Sequence, residues 1–177
     1  KVAADYIDKN ILNFDFSKID AHIASSHRQY EHLTSKQLLL GTVHLFLHQY
    51  DLRLWGRTPL EKNSTAFYFG ESDNLLLSDD LKEAVTTIPY SGQMTEQKIA
   101  QMLSYKYQYC VRPERQTTDV GIFKPPTKVM NSIAMGIPPT ISVHMHEEIR
   151  ILGEDYPLTL EHLKNSRIQP LLSNCVT

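Results

Sequence analysis

Apolar and polar positions along the chain fall into short β-branched and aromatic runs that alternate with longer stretches of helical period. Runs of the first kind are Ala21–Ser25, Val43–His48, Thr65–Phe69, Ala84–Ile88, Tyr107–Val111, Val120–Phe123 and Pro139–Val143, and each predicts a strand. Stretches of the second kind lie at about Ser26–Leu40, Ser78–Glu83, Thr95–Leu103, Thr127–Met135 and His146–Leu152. Alternation of this sort predicts an α/β fold, Rossmann-like, with a mostly parallel sheet and helices on both faces.

Two of the helices carry start signals. Thr95 precedes an apolar i, i+3, i+4 pattern of Ile99, Met102 and Leu103, and Thr127 directly follows Pro125-Pro126; a threonine oxygen at such a place accepts an orphan backbone N–H. The Thr127 segment also has a stop. Gly136 tolerates the positive φ of a helix C-terminus, and Pro138-Pro139 prevents continuation. The richest turn chemistry runs from Trp55 to Ser64 and predicts a boundary between two structural units.

Composition narrows the function. At 177 residues with 41% hydrophobic positions the chain can bury a core. Its 18 Lys and Arg stand against 20 Asp and Glu, a net charge of −2 with no long single-sign run, so nucleic acid is not an expected partner. The longest apolar runs, such as Thr42–Leu47, fall far short of the roughly 20 residues of a membrane-spanning helix. Two cysteines, Cys110 and Cys175, form neither a disulfide framework nor a C-x-x-C pair, which fits a reducing, cytoplasmic location. The opening Lys1-Val2-Ala3-Ala4-Asp5 has no Met and no charged-then-apolar leader, which suggests a processed, trimmed or excised chain.

The most informative stretch runs from Thr118 to Ser142: strand, lysine-bearing loop, capped helix, glycine stop, proline pair, strand. N–H groups at the helix start, with Lys124 and Lys128, make a place for an anion, and a diphosphate is the one expected. Open parallel sheets bind ligands at the carboxyl ends of their strands, which agrees with that placement. Asp119-Val120-Gly121, Lys124, Thr127-Lys128-Val129, Asn131, Ala134-Met135-Gly136-Ile137-Pro138 and Ser142 together resemble the donor-binding region of GT-B glycosyltransferases. The resemblance implies a Rossmann-like domain holding a nucleotide sugar as substrate, with no separate cofactor. It implies phosphates at Lys124, Thr127 and Lys128 and a ribose at Asn131, where many members carry Glu.

More weakly, residues 1–60 resemble the end of an acceptor-side domain and its hinge, and 61–177 the donor domain, as two units or packed into one. Thr65–Gly70 resembles the first donor-half strand, with Gly70 letting the sugar nucleotide approach the backbone. Gly153–Pro157 resembles the segment before the family's closing helix. Where the family often has a basic residue after that first strand, this chain has Glu71-Ser72-Asp73-Asn74, so Arg112 is the expected substitute for holding phosphate. His144 and Glu148 are further candidates around the donor site. The acceptor is unspecified, and most of an acceptor domain is missing at this length, which a homo-oligomer or another domain would supply.

Each of these residues also has an ordinary reading. Lys124 and Lys128 can be solvated lysines beside a turn, Asn131 an exposed helix residue, and Arg112 a surface partner of Glu114 or Asp119. His144-Met145-His146-Glu147 lacks a third ligand of recognisable spacing, so no metal is expected. His27, His44 and His48 read as surface, edge or core histidines. Gly-x-Ser-x-Gly, Gly-x-Gly-x-x-Gly and the P-loop do not occur. Two functions are left: a glycosyltransferase, or the donor-binding portion of one, and a non-catalytic Rossmann-like module that binds a nucleotide or a partner.

Overall fold

The structure, a computed structural model, describes residues 2–5, 11, 15–36, 41–60, 63–75, 77, 79–90, 92–112 and 123–160. Its backbone divides into two compact units, the first made of Lys1–Gln49 with Glu114–Thr127 and the second of Tyr50–Pro113 with Lys128–Thr177. The α/β class is as expected, and both sheets seen among the described residues are parallel throughout. No described helix is long and apolar enough to cross a membrane.

In the first unit, strands β1 (Ala3–Asp5), β2 (Ala21–Ala24) and β3 (Thr42–Leu45) pair in that order. Helix α1 (His27–Ser35) follows β2, and the Ser26 side chain caps it by accepting from the Gln29 N–H, which satisfies an otherwise orphaned donor. Its core gathers Ile11, Phe16, Ala24, Leu33 and Phe123. The expected strand Val43–His48 is shorter in fact, although Phe46 and His48 still donate to the Ala24 and Ser25 carbonyls. Of the expected helix Ser26–Leu40, residues 37–40 lie outside the described residues. Of the expected strand Val120–Phe123, only Phe123 lies within them.

The second unit holds β4 (Asn63–Gly70), β5 (Val85–Pro89), β6 (Tyr105–Tyr109) and β7 (Pro139–Thr140) in the order β5-β4-β6-β7. Alternate residues of β4 go to opposite faces. Phe67 and Phe69 join Ile88, Ile99, Met102, Leu103 and Met135 in one core, whereas Ala66 and Tyr68 join Val85, Tyr109 and Val111 in another. A parallel strand covered on both faces reads as a continuous apolar run, which is why TAFYF is so uniformly apolar. Helix α2 (Glu96–Leu103) begins as expected, with Thr95 accepting from the Lys98 N–H. Helix α3 (Thr127–Ala134) ends before Gly136, whose φ of 66° is the left-handed stop that the sequence predicts. Helix α4 (His146–Leu152) follows β7.

Three expectations shift. The expected helix Ser78–Glu83 reduces, among described residues, to a single 3-10 turn at Asp79–Leu81, since so short a stretch cannot offset the cost of helix nucleation. The strand expected at Tyr107–Val111 starts two residues earlier, where Tyr105 pairs with Asn63. The last strand stops at Thr140 with one further bridge from Ile141 to Thr159, because the Met145 N–H turns back to the Ser142 carbonyl. Because Phe67 is fully buried and Leu52 is 79% exposed, Phe67→Ala should lower unfolding free energy by about 3–5 kcal/mol and Leu52→Ala by less than about 0.5 kcal/mol, as read by urea titration.

Candidate functional site

The strand order of the second unit creates the site. From β4 the chain passes first to β5 on one side and then returns to β6 on the other, so the carboxyl ends of β4 and β6 flank the point where the winding reverses. Ligands of open parallel sheets bind outside such points. Gly70 ends β4, and Cys110, Val111 and Arg112 follow β6 at the same edge.

Lys128, in the first turn of α3, reaches this edge. Its ammonium lies 3.9 Å from the centre of the Tyr68 ring, a cation–π contact that holds the charge over a fixed surface. It also crowds Gly70: a Cβ added there would sit 3.1 Å from Lys128 Nζ and 2.9 Å from Tyr68 Oη, at a φ of 153°. Glycine is thus required by conformation and by space together. Burial pushes the Tyr68 hydroxyl up to about 12, so it remains a neutral donor, and it donates to the Glu71 carbonyl at 3.0 Å.

Arg112 pairs with Glu148 of α4; Glu114 and Asp119 lie outside the described residues. The side chains are 13% and 2% exposed. Among the described residues, buried Arg112 Nε and Glu148 Oε2 have no hydrogen-bond partner. Burial holds the Glu148 carboxyl above its ordinary range, against the opposing pull of Arg112. Near these groups lies the fully buried thiol of Cys110, raised by burial and lowered in turn by Lys128 and Arg112. A deeply buried, raised thiol is no nucleophile.

The sequence candidates therefore divide. Gly70, Lys128, Arg112 and Glu148 belong to the second unit's carboxyl edge. Asn131, half-buried on α3, accepts from the Asp51 N–H at 2.8 Å through Oδ1 and so anchors the segment that carries Asp51. His144 is exposed in a turn, its N–H directed to Ser142 Oγ at 3.3 Å. Lys124 is exposed and Thr127 is the first residue of α3, both within the first unit. Tyr68 and Cys110 carry no sequence signal of a site; Tyr68 is legible only as an alternate position of an apolar strand. Among the described residues no three His, Cys, Asp or Glu side chains gather as a metal ion would need.

No family model matches this chain, and no curated protein sequence matches it.

The ion pair makes a stability prediction. Arg112→Met leaves the buried Glu148 carboxylate without its counter-charge and should cost about 3–5 kcal/mol at pH 7.5. A carboxyl whose folded pKa lies above its unfolded value gains stability as pH falls through the folded value. The loss should therefore shrink toward pH 5 as Glu148 takes up a proton. Urea unfolding at the two pH values measures this, and an equal loss at both would place its origin elsewhere.

Proposed function

We propose that this chain is a glycosyltransferase, or the donor-binding portion of one, that takes a sugar from a nucleotide sugar in the cytoplasm. The observation that carries the reading is the Lys128 ammonium beside Gly70, at the carboxyl edge of β4 where the sheet reverses its winding. A positive charge in the first turn of a helix, next to the end of a strand, suits a diphosphate. Lys124 and Thr127 shortly precede Lys128 along the chain. Arg112 lies at the adjoining strand end, and Glu148 orients it. On this reading Asn131 meets the ribose while bound to Asp51, and His144 belongs to the exposed loop beyond Ser142. In sugar transfer the bond between the anomeric carbon and the phosphate oxygen breaks, and fixed positive groups stabilise the departing nucleoside diphosphate. The buried free thiol of Cys110 suits a reducing compartment.

A second reading, binding without turnover, is favoured by one feature: Glu148 already neutralises Arg112, which leaves less charge to assist a leaving group. The two part on whether sugar is released or transferred from a bound nucleotide sugar.

The test begins with thermal shift against UDP, GDP, ADP, CMP and their sugar conjugates, since binding to the native state raises its apparent stability. A base-selective shift that needs the phosphates is expected. Lys128→Ala should weaken the diphosphate nucleotide about 10- to 100-fold, the worth of a hydrogen bond to a charged group, and leave the matching nucleoside unchanged. Equal weakening of both would remove the phosphate role of Lys128.

A further inference from the structure

The ion pair between Arg112 and Glu148 is incomplete on both sides. Arg112 Nη2 donates to Glu148 Oε1, while Arg112 Nε and Glu148 Oε2, both buried, have no hydrogen-bond partner among the described residues. Of the described groups that act on the Glu148 carboxylate, the Arg112 guanidinium is the cation that holds its charge, with help from the Glu148 backbone N–H. Burial and the neighbouring carboxylate of Glu147 oppose it. The Cys110 thiol, the other titratable group beside Glu148, stays neutral because burial pushes it up. The charge on Glu148 therefore depends on Arg112 staying where it is.

All of these groups belong to the second unit, as does Lys128. Lys128 and Arg112 both act on the fully buried Cys110 thiol, one from α3 and the other from just beyond β6, so the two cations flank one point of that unit. Arg112 is the more exposed partner of its pair, and an anion drawn to Lys128 competes with Glu148 for the guanidinium. A buried carboxylate that loses its counter-charge is strongly disfavoured, and protonation relieves it. We infer that Arg112 exchanges counter-ions: a diphosphate at the Lys128 edge draws the guanidinium away from Glu148, and the Glu148 carboxylate takes up a proton in its place. The proton comes from solvent, and the new O–H is the one covalent bond formed. The three side chains then carry two positive charges instead of one, which matches the two negative charges of a diphosphate diester. Glu148 is thus a positioning residue that acts through Arg112, and the inference rests on the donor-diphosphate reading of this edge.

The test titrates the full chain with UDP-glucose, GDP-mannose and ADP-glucose, whose diphosphate diesters keep a constant charge between pH 5.5 and 8. Calorimetry in buffers of different ionisation enthalpy counts the protons taken up. Binding at pH 7.5 should take up about 0.5 to 1 proton and tighten about 3- to 10-fold from pH 8 to 7, because a group whose pKa rises on binding gains its proton between the free and the bound values. The dependence should flatten toward pH 5.5, where Glu148 of the free protein is itself protonated. Glu148→Gln, checked for a native circular dichroism spectrum, should bind without proton uptake and with an affinity that does not change with pH over this range. Infrared difference spectra of the wild type should show the band of a protonated carboxyl appearing on binding, a readout that needs no variant to fold. Absence of that band, binding without proton uptake, or uptake that persists in Glu148→Gln overturns the exchange and leaves the donor reading standing. If the wild type binds none of the three nucleotide sugars, the donor reading itself falls and takes the exchange with it.

Discussion

Burial of β4 on both of its faces is the constraint that shapes the second unit. Phe67 and Phe69 on one side and Ala66 and Tyr68 on the other each need cover, so the strand cannot sit at an edge, and the chain must lay β5 and β6 on opposite sides of it. That choice is what puts the reversal of winding next to β4. It also decides what Tyr68 can do. With its ring buried on the face opposite Phe67, the phenol presents a flat, polarisable surface at the strand's carboxyl end, where Lys128 settles over it. Hydrophobic burial thus places a charge without any residue being dedicated to that task.

The edge so formed is electrostatically uneven. Arg112 and Glu148 largely cancel each other, and both are too deeply placed for water to screen them. Lys128 brings the net sign of this trio to positive. At Gly70 the space that a side chain would fill is taken by the Lys128 ammonium and the Tyr68 hydroxyl. The acids Glu71 and Asp73 just beyond are exposed, where solvent weakens their repulsion. Their presence in the sequence argues against phosphate more strongly than their placement does.

Local signals are legible in the sequence wherever a residue acts on its own neighbours. The Thr95 cap, the Gly136 stop and the span of α4 can be read directly, since each depends on a few adjacent residues. The parallel sheet is legible from periodicity alone. Features that the sequence conceals depend on distant parts of the chain. β1, at three residues, is too short to show a period and exists because β2 offers it a partner. Glu148 as the partner of Arg112, and Asp51 as the partner of Asn131, are 36 and 80 positions away, and nothing in either segment announces the other. The turn at Ser142 that cuts β7 short likewise competes with a β-branched run that locally favours extension.

Gln29 illustrates the same limit from the other direction. In sequence it is one polar residue on an amphipathic helix, indistinguishable from those that face water. In the fold it is the group that lets α1, the end of β2 and the segment around Phe123 share one buried junction without leaving Ser25 or Phe123 unsatisfied. Burying an amide costs free energy unless every one of its bonds is made. An apolar residue of similar size would have filled the space with no such demand, but it would hold Phe123 only by packing, which tolerates sliding. A hydrogen bond to the carbonyl fixes direction as well as distance.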